Sequence, residues 1–212
     1  MILKKILGII LVLVGLIAAA SGIFLSFAAM DAEPVLVSDP VEATQKVAEM
    51  MEAVVACDYE KASSLIYGNP SLGLEREPAD AVGILLWNAF AKSRSYELKG
   101  GCTASNSGLA QQVVFTYLDM DSVTANLGDR AQALLMERIE AAENIDEIYD
   151  INNEYREDVV MEVLENAVAE ALEENVQNVS VELTVNLVFR NGQWWIVADN
   201  ALLNAISGGI LY

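Results

Sequence analysis

Histidine is absent from this 212-residue chain. Its absence removes a Ser/His/Asp triad, a Cys/His pair, histidine-ligated metals and histidine proton shuttles. Two cysteines, Cys57 and Cys102, are too few for a four-thiolate zinc site. Basic residues are also scarce: 12 Lys and Arg stand against 31 Asp and Glu, a formal net charge of -19. A surface this negative repels phosphate backbones, and no basic stripe offsets it, so nucleic acid is excluded as a partner and anionic lipid surfaces are disfavoured.

Hydrophobicity, by contrast, is high, at 54% of residues, and its excess is concentrated at one end. Residues 1–30 hold 23 apolar side chains and no acidic one, and the 25 residues from Ile6 to Met30 carry no charge. As a helix that stretch reaches roughly 37 Å, enough to cross a hydrocarbon core of about 30 Å. Lys4 and Lys5 precede it and Asp31, Glu33 and Asp39 follow, which puts the N-terminus inside and the remainder outside. The expectation is a single-pass protein of the cell membrane, with the bilayer contacted through residues 6–30. The alternative is a signal peptide cleaved near Ala18-Ala19-Ala20 or Ala28-Ala29, giving a secreted protein; the apolar run exceeds the usual signal length of about 7 to 15 residues. Residues 31–38 read as a linker and 39–212 as the folded domain.

Within that domain the apolar period is first helical. Asp39-Pro40-Val41-Glu42 reads as a helix start, and Val41, Val47, Met51, Val54 and Val55 continue at helical spacing to about Ala56. Asp58 caps a shorter helix that Gly68-Asn69-Pro70 stops. Pro78 opens a third, with Val82, Leu85, Leu86, Ala89 and Phe90 on one face. The period then becomes two. Tyr96 and Leu98 alternate before Gly100-Gly101, and Val113, Phe115 and Tyr117 alternate after Thr103 to Gly108, predicting a hairpin. Between 122 and 178 the pattern is helical again, with Leu134, Leu135, Ile139 and Ala142 in one segment and Ile148, Ile151, Tyr155, Val159 through Leu172 in a longer one. Val179, Val181, Leu183, Val185, Leu187 and Phe189 alternate strictly, Asn191-Gly192 supplies a two-residue turn, and Gln193 to Val197 returns. The predicted class is α+β: a transmembrane helix, then helices wrapped by a curved antiparallel sheet of about four strands, with a helical insertion, 122–178, between strands two and three.

This order of elements resembles the nuclear transport factor two-like superfamily. The likeness rests on the junction Cys57-Asp58-Tyr59-Glu60-Lys61-Ala62, the Asn191 to Val197 hairpin and the closing Leu203-Asn204-Ala205-Ile206-Ser207-Gly208-Gly209. Within it the chain is most similar to membrane-anchored extracytoplasmic domains of unknown function from Gram-positive gut bacteria. The resemblance implies a cone fold with an interior pocket; it implies no reaction, because such folds host enzymes, transport factors and scaffolds alike.

No constellation has the spacing of a catalytic, cofactor or metal site. From Asp129 to Glu174 there are 15 acidic and 3 basic residues; a docking face for a basic partner is one reading, and a solvated helix face accounts for the pattern without it. Asp150, Asn152 and Glu154 mimic alternating calcium ligands, but the turn glycine is missing and the stretch reads as helical. Trp194 and Trp195, adjacent in one strand, must face opposite ways; Trp195 reads as core, or as a partner surface if it stands exposed beside another aromatic. Tyr96 and Tyr117 are the other candidates for a pocket or partner surface. Cys57 and Cys102 both lie beyond the membrane, where a disulfide is expected and would contribute about 2 to 4 kcal/mol; two free thiols are the alternative. The functional expectation is a non-catalytic extracytoplasmic module that binds an envelope protein or a small apolar ligand. The alternative is an enzyme of the cone pocket, using a buried carboxyl and a tyrosine for proton transfer on a small apolar substrate. An enzyme needs an acid in an open pocket, whereas a scaffold fills its interior with Leu, Val and Met.

Overall fold

The computed structural model describes residues 39–208 except 73, 75–77, 107 and 175. The proposed membrane span and linker lie outside the described residues. Among those described, no helix is long and apolar enough to cross a membrane.

The fold is α+β, with a four-stranded antiparallel sheet in sequential order. Its described residues fall into two compact units. The first holds α1 (Pro40–Val55), α2 (Tyr59–Ser64), β1 (Ser95–Ser105), β2 (Gly108–Leu118), β3 (Asn178–Arg190), β4 (Gln193–Val197) and α7 (Asn200–Ile206). The second holds α3 (Ala81–Ser93) and the helices between β2 and β3: α4 (Met120–Thr124), α5 (Leu127–Ala141), a short 3-10 turn (Ile145–Glu147) and α6 (Glu157–Glu174).

Local chemistry sets the helix starts. Asp39 accepts from the Val41 amide at 2.9 Å, with Pro40 at the first helical position. Asp58 accepts from Lys61 at 3.0 Å and Asp199 from Leu202 at 2.9 Å. Each satisfies a donor that the first turn leaves unpaired. Along α1 the fully buried side chains are Ala43, Val47, Met50, Met51 and Val54, a helical stripe. Val41, grouped with that stripe by spacing, is 61% exposed in the first turn.

In the sheet, Tyr96 pairs with Phe115 and Leu98 with Val113, while Phe189 pairs with Trp194 and Leu187 with Ile196. Gln112 bonds Thr184 across β2 and β3, and Thr116 bonds Ser180. Even-numbered residues of these two strands therefore share a face, and odd-numbered ones share the other. Asn191 and Gly192 both take positive φ, 52° and 79°, as the tight hairpin turn requires. Gly108, at φ 151°, faces the β3 backbone so closely that a Cβ would collide with the Leu187 carbonyl oxygen.

Three expectations change. Gly100-Gly101 does not end the first strand: β1 runs to Ser105, and the register slips between Lys99 and Thr103. Gly100, at φ 67°, accommodates this bulge. The third helix begins at Ala81 rather than Pro78, because Asp80 accepts from the Gly83 amide at 2.7 Å. Ile148 to Tyr155 is a loop, not the start of the long helix. The Asp150 carboxylate accepts from the Asn152 and Glu154 amides at 2.9 Å each, and Asn153 takes φ 59°. Side chains of this kind offer backbone donors an alternative to the helix.

In the second unit, α5 and α6 lie antiparallel: Arg130 meets Glu170 and Arg138 approaches Glu162. Their shared stripe comprises Leu127, Ala131 and Leu135 with Val159, Val163, Ala167 and Ala171.

Candidate functional site

Among the described residues the centre of the inner sheet face is apolar and closed. Val113, Phe115, Leu183, Val185, Leu187, Trp194 and Ile196 are all 6% exposed or less, and α1 contributes the stripe from Ala43 to Val54. Phe189 packs edge-on to Trp194 at 5.3 Å between ring centres. Gln111, fully buried on this face, donates to the Lys99 and Gly100 carbonyls at 3.2 Å each and lies 3.3 Å from Thr44 Oγ1. It closes the β1 bulge by supplying donors where the register slips. Among the described residues the buried polar side chains are Ser63, Arg94, Gln111 and Ser207, none of them a carboxylate.

Tyr117 is buried, its ring 6.0 Å from Phe115. Tyr96, two positions back across the sheet on the same face, is half-buried and reaches to 3.5 Å from Glu52 Oε1. Burial first, and the Glu52 carboxylate second, push its phenol up from the ordinary value.

A buried polar cluster that the sequence reading missed sits at the α1–α2 junction. The Arg94 guanidinium, 4% exposed, donates to the Tyr59 hydroxyl and to Cys57 Sγ and lies over the Tyr59 ring at 5.4 Å. Burial pushes the Tyr59 phenol up to about 12, against the opposing pull of Arg94. The signal for it was one basic residue between the helical and the alternating segments.

Cys57 takes φ 61° just after α1. Cys102 lies in the β1 bulge, its amide 3.1 Å from Thr44 Oγ1 near the start of α1, and partial burial raises its thiol. Both cysteines are free. From Thr44 to Val55 the helix rises roughly 16 Å, far beyond the Cα separation of about 7 Å that a disulfide tolerates. The structure does not bring these two residues together.

Trp195 is on the outer face with Val188, opposite to Tyr96 and Tyr117. It is half-buried, and its indole Nε1 donates to the Arg190 carbonyl at 3.3 Å. Tyr67, 44% exposed, stands edge-on to it at 6.2 Å. Trp195 is thus neither the fully buried core residue nor the exposed ring of the two expectations: it is half-buried beside an exposed Tyr67.

In the helical unit a surface depression of about 440 Å³ is lined by Asp129, Arg130, Glu137 and Glu170 among others. Its one guanidinium already holds Glu170 at 2.8 Å and Glu174 at 2.5 Å, which lowers the Glu174 carboxyl. Among the described residues no three carboxylate or thiol groups converge to hold a metal ion. Asp150, Asn152 and Glu154 serve instead as the internal bonds of their own loop. Compared with protein-family models, curated proteins and solved structures, the chain matches none.

Proposed function

We propose that this chain is an extracytoplasmic interaction module, held at the membrane by residues 6–30, whose folded part is a nuclear transport factor two-like cone that binds through its outer surfaces. The observation that carries the reading is the inner sheet face. The side chains at its centre are apolar and almost wholly buried, they are met by the Val and Met stripe of α1, and the buried Gln111 beside them is satisfied by backbone and Thr44. A proton-transfer enzyme of this fold would set a desolvated carboxyl there. The described acidic residues instead cap helices, join ion pairs or face solvent. The charge-free run 6–30, with Lys4 and Lys5 before it and acids after it, supports a place for the folded part outside the cell.

Thermal unfolding with a panel of small apolar ligands tests the reading. An interior pocket saturated at a hundred times its dissociation constant would raise the midpoint by about 5 to 10 °C. The expected result is no shift beyond about 1 °C. A ligand that stabilises the chain by several degrees, and loses that effect when Leu183 or Phe115 is enlarged, would replace the module with a pocket protein.

A further inference from the structure

We propose that the loop joining α5 to α6, which presents Ile145 and Ile151 to solvent, is a docking surface for a basic segment of a partner protein, one that carries apolar side chains among its Lys and Arg. The inference rests on the interaction-module reading and adds the place and the chemistry of the partner.

The loop is held in one shape from within. Ile148, 1% exposed, anchors it. Tyr149 and Tyr155 pair across an antiparallel bridge and stack their rings at 4.9 Å. Asp150 and Arg156 donate their amides to the Glu154 and Ile148 carbonyls at 2.8 and 2.9 Å. Asn153 donates to the Asp150 carbonyl at 3.0 Å, which closes a four-residue turn with Ile151 in its second position. A surface ordered in advance gives up little entropy when a partner covers it.

Ile151 has no part in that framework. It is 99% exposed, and Ile145, in the 3-10 turn before it, is 69% exposed. Turns draw on Gly, Pro, Asn, Asp and Ser, and here the Asp150 carboxylate and Asn153, at φ 59°, supply what the backbone needs. Turn chemistry therefore does not account for an isoleucine at the apex. A single apolar side chain on a surface is ordinary. Two isoleucines on one ordered connection are a source of binding free energy that folding leaves unused.

The surrounding charge selects the partner. From Glu143 to Asp158 there are seven acidic residues and one basic, Arg156, and Arg156 is bound to Asp158 through two hydrogen bonds of 3.0 Å. Asp146 and Asp150, both exposed, directly neighbour the two isoleucines in the chain. A partner that covers the isoleucines must meet these carboxylates, and Lys and Arg complement them and speed the encounter. A second copy would set acid against acid, since the chain carries a net charge of -19.

The test uses the full chain in a non-ionic detergent and a fluorescein-labelled peptide alternating Lys with Leu, read by anisotropy against protein-free detergent, with a peptide alternating Lys with Ser as the control of equal charge. The Lys-Leu peptide is expected to bind below millimolar concentration, and the Lys-Ser peptide about tenfold more weakly or worse. Ile151→Ser is expected to weaken the Lys-Leu peptide by about the same factor and to leave the Lys-Ser peptide unchanged; Ile145→Ser should act in the same direction. Glu143→Gln combined with Asp146→Asn, or a rise in salt from about 0.05 to about 0.3 M, should weaken both peptides severalfold. No binding of the Lys-Leu peptide at millimolar concentration, equal binding of both peptides, full affinity in Ile151→Ser, or indifference to salt overturns the proposal. Self-association abolished by Ile151→Ser overturns it as well, by making a second copy the occupant. An interior ligand would sink the module reading and leave this titration standing, whereas a failed titration sinks the docking surface alone.

Discussion

Tyr59 and Gln111 are polar side chains in apolar surroundings, and each makes a different prediction. The folded protein holds the Tyr59 proton more tightly than the unfolded chain does, since burial moves the phenol from 10.0 to about 12. Its contribution to stability is therefore complete below pH 10 and fades as pH rises from about 10 to about 12. Ultraviolet titration of the phenolates should show a late-ionising component that Tyr59→Phe removes; a titration in which all tyrosines ionise together contradicts the packing at the α1–α2 junction. For Gln111, replacement by Leu leaves the Lys99 and Gly100 carbonyls without their donor, a loss of about 1 to 3 kcal/mol. An unchanged urea midpoint would show that the bulge does not depend on it. Neither role was legible in the sequence. A glutamine in an alternating strand looks like any solvated position, and the partner that buries Arg94 arrives from a helix 35 residues earlier.

At the scale of elements, the parts with strong local codes were readable. Strict alternation from Val179 to Phe189 followed by Asn191-Gly192 specifies a hairpin by itself, and aspartates before apolar runs specify helix starts. The failures share one physical origin, which is that apolar spacing does not report backbone bonding. Ile148, Ile151 and Tyr155 have helical spacing, yet Ile148 is buried and Ile151 is 99% exposed, because Asp150 takes the amides that a helix would use. Gly100-Gly101 resembles a strand end, yet it is a bulge within β1. These features predict that Asp150→Ala speeds amide exchange at Asn152 and Glu154 severalfold without moving exchange in α5. Equal exchange before and after the substitution would mean that the carboxylate does not order the loop. Gly108→Ala should cost at least about 1 kcal/mol, since the site demands both a positive φ and the absence of a Cβ; a neutral substitution contradicts the close approach of β2 and β3.

For the whole molecule, the sequence says more about an expected address than about a partner. The charge-free run of residues 6–30 predicts that the chain sediments with membranes, is released by detergent, and loses its folded part to protease added outside intact cells. A mature chain that starts after Ala20 or Ala29 contradicts the anchor. The site was legible in part: Trp195 was recognisable as facing away from Trp194, but the loop that sets Tyr67 beside it depends on contacts far apart in the chain. Cys57 and Cys102, a plausible pair by compartment alone, are separated by the length of α1. On the proposed reading the interior of the sheet is structural and binding falls to the outer surfaces. Equilibrium urea unfolding of Leu187→Ala tests it most directly, because this residue is fully buried in the middle of the inner face. A filled interior predicts a loss of about 2 to 5 kcal/mol, and a loss below about 1 kcal/mol would contradict it by revealing an open pocket.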